Sequence, residues 1–529
     1  MIDLDRTQGT SEMRTQVCVI GAGAAGISLT RRLLAAGHEV VLLESGGLDY
    51  EAQVADLSAG ENVGADYYDL EDSRLRFFGG TTAIWGGRCA ELDPIDLEAR
   101  DYVPHSGWPI AWSELSHYYD QARPSFGLPR QRLGLDRMRA ARVPLPAFDP
   151  QQLEMPLWTF DQRFNRFTFD SCRDIEANPK ARIVTHATVT AIRPGESGRG
   201  IEAVEARSLS GGAVTVRAEA FVLAAGGIEN ARLLLANRLG NEHDQVGRYF
   251  MEHPHARGGR IVEAASWNLM KAFGRRHCVD GVDLAALITP SEALQRREGI
   301  LNTSLTIVGR QPERARKFWG MKAYDGIKHS IAPTRTGRAL WMTAKKAAAW
   351  TQQRIDPARP WLLHKIGMVD VALLVRAEQA PNPDSRVLLG TDKDALGVPR
   401  VTLDWRLSEI DARSVSVLVD TLGRELERLG LGKVEPADWL ADGARGWRSD
   451  DLISSHPIGG FHHMGTTRMS NSPRTGVTDA DTRVHGLGNL YVAGSSLFPT
   501  GGWANPTLTI AALALRTADT ISAGLKRSP

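Results

Sequence analysis

At 529 residues the chain can bury large cores, and length alone predicts about two to four domains. Its 63 Lys and Arg nearly cancel its 62 Asp and Glu, which argues against a global field for nucleic acid or membranes but not against a local patch. Cys18, Cys89, Cys172 and Cys278 are far apart and form no CxxC pair, so neither a disulfide framework nor a cysteine metal site is expected. The N-terminus lacks a basic region followed by an apolar one. No apolar run reaches the ~20 residues needed to cross a bilayer, so a soluble cytoplasmic protein with no transmembrane segment is the expectation.

In chain order, residues 16–20 (QVCVI) read as a short buried strand. The turn Gly21-Ala22-Gly23-Ala24-Ala25-Gly26 follows, then a helical ISLTRRLLAAG and a second strand, EVVLLE, completing one βαβ unit. In RLRFFGGTTAIWGGRCA (74–90), glycine pairs suit a loop whose backbone approaches a flat ligand. GWPIAWSELSHYYDQA (107–122) reads as a capped amphipathic helix. ARIVTHATVTAIRP (181–194) alternates like a strand, and 213–235 predicts strands, a glycine turn and a helix. Beyond 258 the texture changes. Strand-like stretches fall at 300–309, 367–377 and 386–404, and helix-like ones at 337–354 and 409–429. The pattern predicts an α/β protein with a nucleotide-binding domain in 14–257, a substrate domain inserted at 258–440, and a return to the first domain in 441–529.

Residues 310–359 are rich in Lys and Arg, against only Glu313, Asp325 and Asp356, with Phe318, Trp319, Trp341 and Trp350 interleaved. A solvated helical lid or a contact within a homo-oligomer is one reading, and a dock for a membrane surface or redox partner is another. No nucleic-acid motif accompanies the charge, so no nucleic-acid partner is expected.

The first glycine turn follows a strand, opens a helix and precedes an acid, Glu44, at the end of the next strand. Gly21 permits the tight turn, Gly23 lets the backbone approach a pyrophosphate, and Gly26 lets helix and strand pack closely. Ala24 and Ala25 open the helix, whose N-terminus offers free N–H groups and a positive dipole to phosphates. Glu44 suits ribose hydroxyls and disfavours a 2′-phosphate, so NADP is not expected. FAD and NAD are not separated by this turn alone. The GGTTAIWGGRC loop and the strand–glycine turn NLYVAGSS, ending at Gly494, favour FAD.

The tract 461–509 offers a base, His462 or His463, and an amide, Asn505, about forty residues later. A histidine suits general-base work near neutral pH, with an unperturbed pKa of ~6.5. Asn505-Pro506 also reads as a helix start, with Asn505 as its cap. No GxSxG elbow supports a Ser/His hydrolase. His253, His255, His462 and His463 lack HExxH spacing, so no metal is expected.

Together, VIGAGAAG…LLESG, FGGTTAIWGGRC, SGWPI, VLAAGGIENARLLL, VGRYFMEHP, EQAPNPDSRVLL, HHMGTTRM, RVHGLGNLYVAGSSLFPT and ANPTLT resemble the glucose–methanol–choline (GMC) family of flavin-dependent alcohol oxidoreductases. They fall in the family's order and span most of the chain, sparsely over 258–440. The motifs look most like the branch with pyranose 2-oxidase and bacterial glycoside 3-oxidases or 3-dehydrogenases. The resemblance implies a Rossmann-like FAD-binding domain with an inserted substrate domain built on a mixed β-sheet with helices. It also implies oxidation of an alcohol or glycoside, with O2 or an external electron acceptor taking the electrons.

The family's covalent flavin histidine aligns with Ile84, which cannot form that bond, so dissociable FAD is expected. The Gly465-Thr466 register puts the base on His462, and Asn505 falls at the family's second active-site position. The cofactor contacts expected on this reading are Gly21, Gly23, Ala24, Ala25, Gly26, Glu44, Ser45, Gly80, Thr81, Trp85, Gly86, Gly87, Val189, Ala225, Gly226, Gly494, Asn505, Pro506 and Thr507. Gln379, with Asn382 and Arg386 near it, is the expected sugar contact beside His462 and Asn505. A secondary hydroxyl of a sugar or glycoside, giving a keto-sugar, is the expected target. Another alcohol is the alternative within the same chemistry, and a catalytically silent flavin subunit of an electron-transfer complex is the alternative outside it.

Overall fold

The strand Thr10–Ile20 buries its last four residues and stops at Gly21, whose φ of +107° turns the chain. A Cβ there would lie 2.6 Å from the Ala224 carbonyl oxygen, so only glycine fits. The computed structural model describes all residues except 84, 162, 164–165, 314, 316–334, 442–445 and 527–529.

Thr10–Ile20 sits inside an eight-stranded sheet. Its main path runs Ile2–Asp3, Ala181–Thr185, Val40–Leu43, Thr10–Ile20, Ala213–Leu223, Ile201–Arg207, Thr188–Pro194. Pairing is parallel up to Ala213–Leu223 and antiparallel beyond it. Leu490–Val492 lies parallel to the end of Ala213–Leu223. Ile20, Leu223 and Val492 therefore stand side by side in register at the carboxyl edge, and each leads into a glycine turn. The stretch 181–194 forms two strands, because His186 takes φ +53° between them.

The helix Ala24–Ala35 packs on the last helix, Thr507–Leu525, which also meets Trp112–Ala122. Thr507–Leu525 has a mean hydropathy of 1.2 and could cross a membrane by length and composition. Here Leu508, Ala511, Leu513, Ala514 and Ile521 are buried in the core. The amphipathic helix expected from 107 begins only at Trp112, and Ala111 before it has no capping side chain.

A second core lies under the antiparallel sheet Ser304–Arg310, Asp370–Arg376, His255–Val262, Lys433–Pro436. The helix Glu409–Arg428 starts from a capping box of Ser408 and Asp411, and it buries Val415, Leu418, Val419, Leu422 and Leu426 in that core. The expected architecture, a Rossmann-like domain with an inserted substrate domain, is present.

The cores do not follow the cuts expected at 257/258 and 440/441. Met138, Val143, Phe148 and Leu157 join the second core. The hairpin Arg386–Lys393 and Pro399–Asp404 pairs in parallel with Gly60–Asn62, and its Val387, Val401 and Leu403 join the first core. Part of the basic segment 310–359 lies outside the described residues. The described part holds the helix Arg335–Ile355, close to the 337–354 expected.

Candidate active site

Gly23, Gly226 and Gly494 have nothing within 4 Å of the position a Cβ would take. They follow the three aligned strand ends, so open backbone runs along the carboxyl edge of the sheet. Gly23 offers no capping side chain to the helix Ala24–Ala35, which leaves the first-turn N–H groups of Ala24, Ala25 and Gly26 free to meet an anion. An extended dinucleotide fits such an edge.

Glu44 is buried at the end of Val40–Leu43. Its carboxylate accepts from Ala22 N–H at 2.9 Å and Gly46 N–H at 3.0 Å, which steadies the first turn. Burial pushes its pKa up, while these donors and Arg76 pull it back. The Ser45 hydroxyl lies 2.7 Å from that of Thr188, and Val189 is buried beyond it.

The GGTT loop docks on the first turn through Gly79 N–H to Ala22 O at 2.7 Å. Gly80 takes φ +55°, and the Thr81 hydroxyl accepts from Leu75 N–H at 3.2 Å. Trp85 packs on Phe126, and its indole N–H has no partner. A Cβ on Gly86 would meet Arg88 Nη1 at 2.9 Å, and Gly87 takes φ +72°. Ile84 lies outside the described residues.

Ala225 N–H donates to Asn230 Oδ1 at 2.9 Å, while Asn230 Nδ2 reaches the Ser496 hydroxyl at 3.0 Å. Asn230 thus ties two of the glycine turns together. Sequence reasoning missed it, although its place in GGIEN one turn past Gly226 was the available signal.

Residues 249–254 and 459–465 run antiparallel, with Met251 and Met464 exchanging both backbone hydrogen bonds at 3.0 Å. This pairing brings His253 Nδ1 to 2.8 Å from His462 Nδ1. His253 Nε2 lies 2.8 Å from Gly502 O, which can only accept, so Nε2 carries the His253 proton. Burial pushes the His253 pKa down and keeps the ring neutral, so its Nδ1 accepts from His462 Nδ1–H. His462 Nε2 is left unprotonated, 3.2 Å from Asn505 Nδ2. Burial first, then His253 and His255, hold the His462 pKa well below the usual imidazole range.

His463 turns the other way. Its Nε2 lies 3.0 Å from Tyr67 Oη, and burial pushes its pKa down to about 3. Tyr67 Oη donates to Glu252 Oε2 at 2.6 Å. The same carboxylate accepts from the backbone N–H groups of His253 at 2.8 Å, His462 at 2.8 Å and Gly460 at 3.2 Å. Burial pushes Glu252 up to about 7 against these donors. Phe461 takes φ +60°, a conformation that costs an L-residue ~1–2 kcal/mol. Its ring is held 4.5 Å from that of Tyr68, which fixes the entry to His462. Glu252, His253 and Tyr67 were not singled out as site residues from sequence. Glu252 and His253 lie in the motif VGRYFMEHP, but only the pairing of the two segments shows that they meet His462.

Asn505 makes no side-chain cap. Pro506 is the residue before the helix that starts at Thr507, and the Asn505 amide faces His462. Gln379, the expected sugar contact, is buried with its amide bonded inside the protein. Its Oε1 accepts from Glu252 N–H at 3.0 Å and Trp405 Nε1–H at 2.9 Å, and its Nε2 donates to Arg406 O at 2.8 Å. These bonds commit its amide to holding the strand that carries Glu252. Asn382 accepts from Asp384 N–H at 2.9 Å, and Arg386 pairs with Asp244 at 2.8 Å, so both belong to the scaffold.

Residues 381–514 match the GMC oxidoreductase family, and residues 16–269 match the FAD dependent oxidoreductase family. The chain thus carries a GMC oxidoreductase C-terminal domain and an FAD dependent oxidoreductase domain. It is 27% identical to 6'''-hydroxyparomomycin C oxidase of Streptomyces lividus, over 98% of the chain and 93% of that protein. It is 24% identical to 2-methyl-1,2-propanediol dehydrogenase of Mycolicibacterium austroafricanum, over 97% and 96% respectively. C-glycoside 3-oxidase of Microbacterium trichothecenolyticum is 31% identical, over 32% of this chain and 30% of its own. A formate oxidase of Aspergillus oryzae superposes with a TM-score of 0.56 at 15% identity, covering 98% of this chain and 99% of that one. That likeness shows the shared fold. FAD is the cofactor that the family matches name, and the open glycine edge fits it.

Proposed function

We propose that this protein oxidises a secondary hydroxyl of a sugar or glycoside to a keto-sugar, on FAD held without a covalent bond. The observation that carries the reading is the unprotonated His462 Nε2, placed 3.2 Å from the Asn505 amide. Gly21, Gly23, Ala24, Ala25 and Gly26 would hold the pyrophosphate, Glu44 the ribose, and the turns at Gly226 and Gly494 the remainder. When bound, FAD supplies a two-electron acceptor for hydride. His462 Nε2 takes the hydroxyl proton. Asn505 Nδ2 swings from His462 to the substrate oxygen and steadies the charge that develops there. The alcohol thus loses one proton and one hydride, and the carbonyl forms.

The glycoside 3-oxidase and the hydroxyparomomycin oxidase among the relatives support a sugar substrate. The propanediol dehydrogenase favours a small diol as the second reading. An anaerobic panel of methyl glycosides, free sugars and diols, read by flavin absorbance, tests both. Bleaching by glycosides is expected, and bleaching by diols alone would move the substrate class. A holoenzyme that no alcohol bleaches would sink the catalytic reading. Admitting air afterwards separates O2 from an external acceptor.

Dissociable FAD follows from Ile84, an alkyl side chain with no nucleophilic atom. Acid denaturation and filtration should pass the yellow colour into the filtrate, and colour retained on the polypeptide would overturn this.

A further inference from the structure

Two arginines lie over the indole ring of Trp158. The guanidinium carbon of Arg376 is 4.9 Å from the ring centroid and that of Arg88 is 5.1 Å away. Arg88 extends from the GGTTAIWGG loop and pairs in register with Phe160. Arg376 ends the strand Asp370–Arg376 and faces His255 across the sheet. In register with His255, it stands beside the strand that follows His253, whose ring meets His462 at 2.8 Å.

Arg88 Nε and Arg376 Nη1 are buried without a hydrogen-bond partner, and so is the indole N–H of Trp158. The charged groups that act on Arg88 are Arg276 and Arg310, and those that act on Arg376 are Arg88 and Arg310. All are cationic. Arg100 and Arg123 are matched differently, to Glu378 at 2.7 Å and to Glu91; Arg468 also lacks an acid, but one of its amino groups donates to the His105 carbonyl and its guanidinium lies over Tyr249. A wall made only of donors and positive charge is costly unless an anion completes it. Hydroxyl groups of a neutral sugar can accept hydrogen bonds there, but they leave the charge uncompensated.

We propose that the alcohol oxidised at His462 carries an oxyanion, a carboxylate or a phosphate or sulfate ester, seated on Arg88 and Arg376 against Trp158. This rests on the oxidation reading above, because it places the reacting hydroxyl and the anion on one substrate. The oxyanion would accept from both guanidiniums, and the planar fork of arginine suits it better than an ammonium does.

The test uses FAD-loaded protein at low salt and probes of one carbon frame: methyl glucoside, methyl glucuronide, glucose 6-phosphate and methyl glucosaminide. Binding is followed by calorimetry and flavin reduction is followed separately. The uronide or the phosphate is expected to bind at least 10-fold more tightly than the neutral glycoside, and the amino sugar least. Whichever anion wins identifies the source of the oxyanion. Arg376→Met and Arg88→Met are each expected to weaken anion binding about 10- to 100-fold and to leave neutral binding unchanged. Arg376→Lys should restore part of the loss.

Melting temperature without ligand guards against misfolding. Removing an uncompensated buried cation should leave it unchanged or raise it, whereas an arginine that only braces Trp158 would lower it and leave anion affinity intact. Equal binding of neutral and anionic probes, or unaltered anion affinity in both Met variants, would overturn the proposal. If anions bind through the arginines but no alcohol reduces the flavin, the anion site stands and the oxidation reading falls. Reduction by neutral glycosides as readily as by anionic ones would leave the oxidation reading and remove this one.

Discussion

His462→Ala slows anaerobic reduction of the flavin by the alcohol substrate about 10²- to 10⁴-fold and leaves FAD bound. The variant removes the unprotonated imidazole nitrogen that faces Asn505. General-base assistance of this kind contributes about 10²- to 10⁴-fold, so the rate constant for reduction should fall by that factor. FAD retention is expected because the open backbones of Gly23, Gly226 and Gly494 belong to other turns. The backbone at 462 should also stay in place, since its N–H donates to Glu252 and an alanine keeps that bond. His463, turned to Tyr67, has no path to take over. Normal bleaching in the variant would refute the assignment of the base.

Gly26→Ala yields protein without bound FAD and with a lowered melting temperature. A Cβ at 26 would lie 1.9 Å from the Gly21 carbonyl oxygen and 3.4 Å from Val19 Cγ1. The helix Ala24–Ala35 must then move off the strand, and the first-turn N–H groups move with it. Overpacking of this kind costs about 1–3 kcal/mol, more where backbone is the obstacle. Gly23→Ala separates the two effects. Its Cβ meets nothing within 4 Å of protein, so the apoprotein should melt as the parent does while FAD affinity falls. The ratio of flavin to protein absorbance, with a melting curve, checks both variants. Full FAD content in Gly26→Ala would mean that the helix tolerates the shift.

Much of the fold was legible along the chain. The βαβ unit, the strand and helix around Gly226, and the helix at Glu409–Arg428 are local patterns of apolar spacing, glycine and caps, and they form where expected. The domain cuts were less legible. The hairpin at 386–404 alternates like any strand pair, and nothing in its sequence says which core receives Val387 and Leu403. Gln379 was ambiguous for a similar reason. A polar side chain after a strand looks the same whether it faces a ligand or, as here, is spent on Glu252, Trp405 and Arg406.

By itself the sequence determined the backbone of the first glycine turn and proposed one histidine as the base. A glycine turn between strand and helix specifies its own backbone, and the Gly465-Thr466 register singles out one histidine of an adjacent pair. Only the tertiary structure decided which nitrogen of His462 is unprotonated. That depends on a proton held at His253 by the Gly502 carbonyl, in segments 209 and 249 residues apart along the chain. Tautomers follow from hydrogen-bond partners, and partners so distant in sequence meet only when the two antiparallel segments pair.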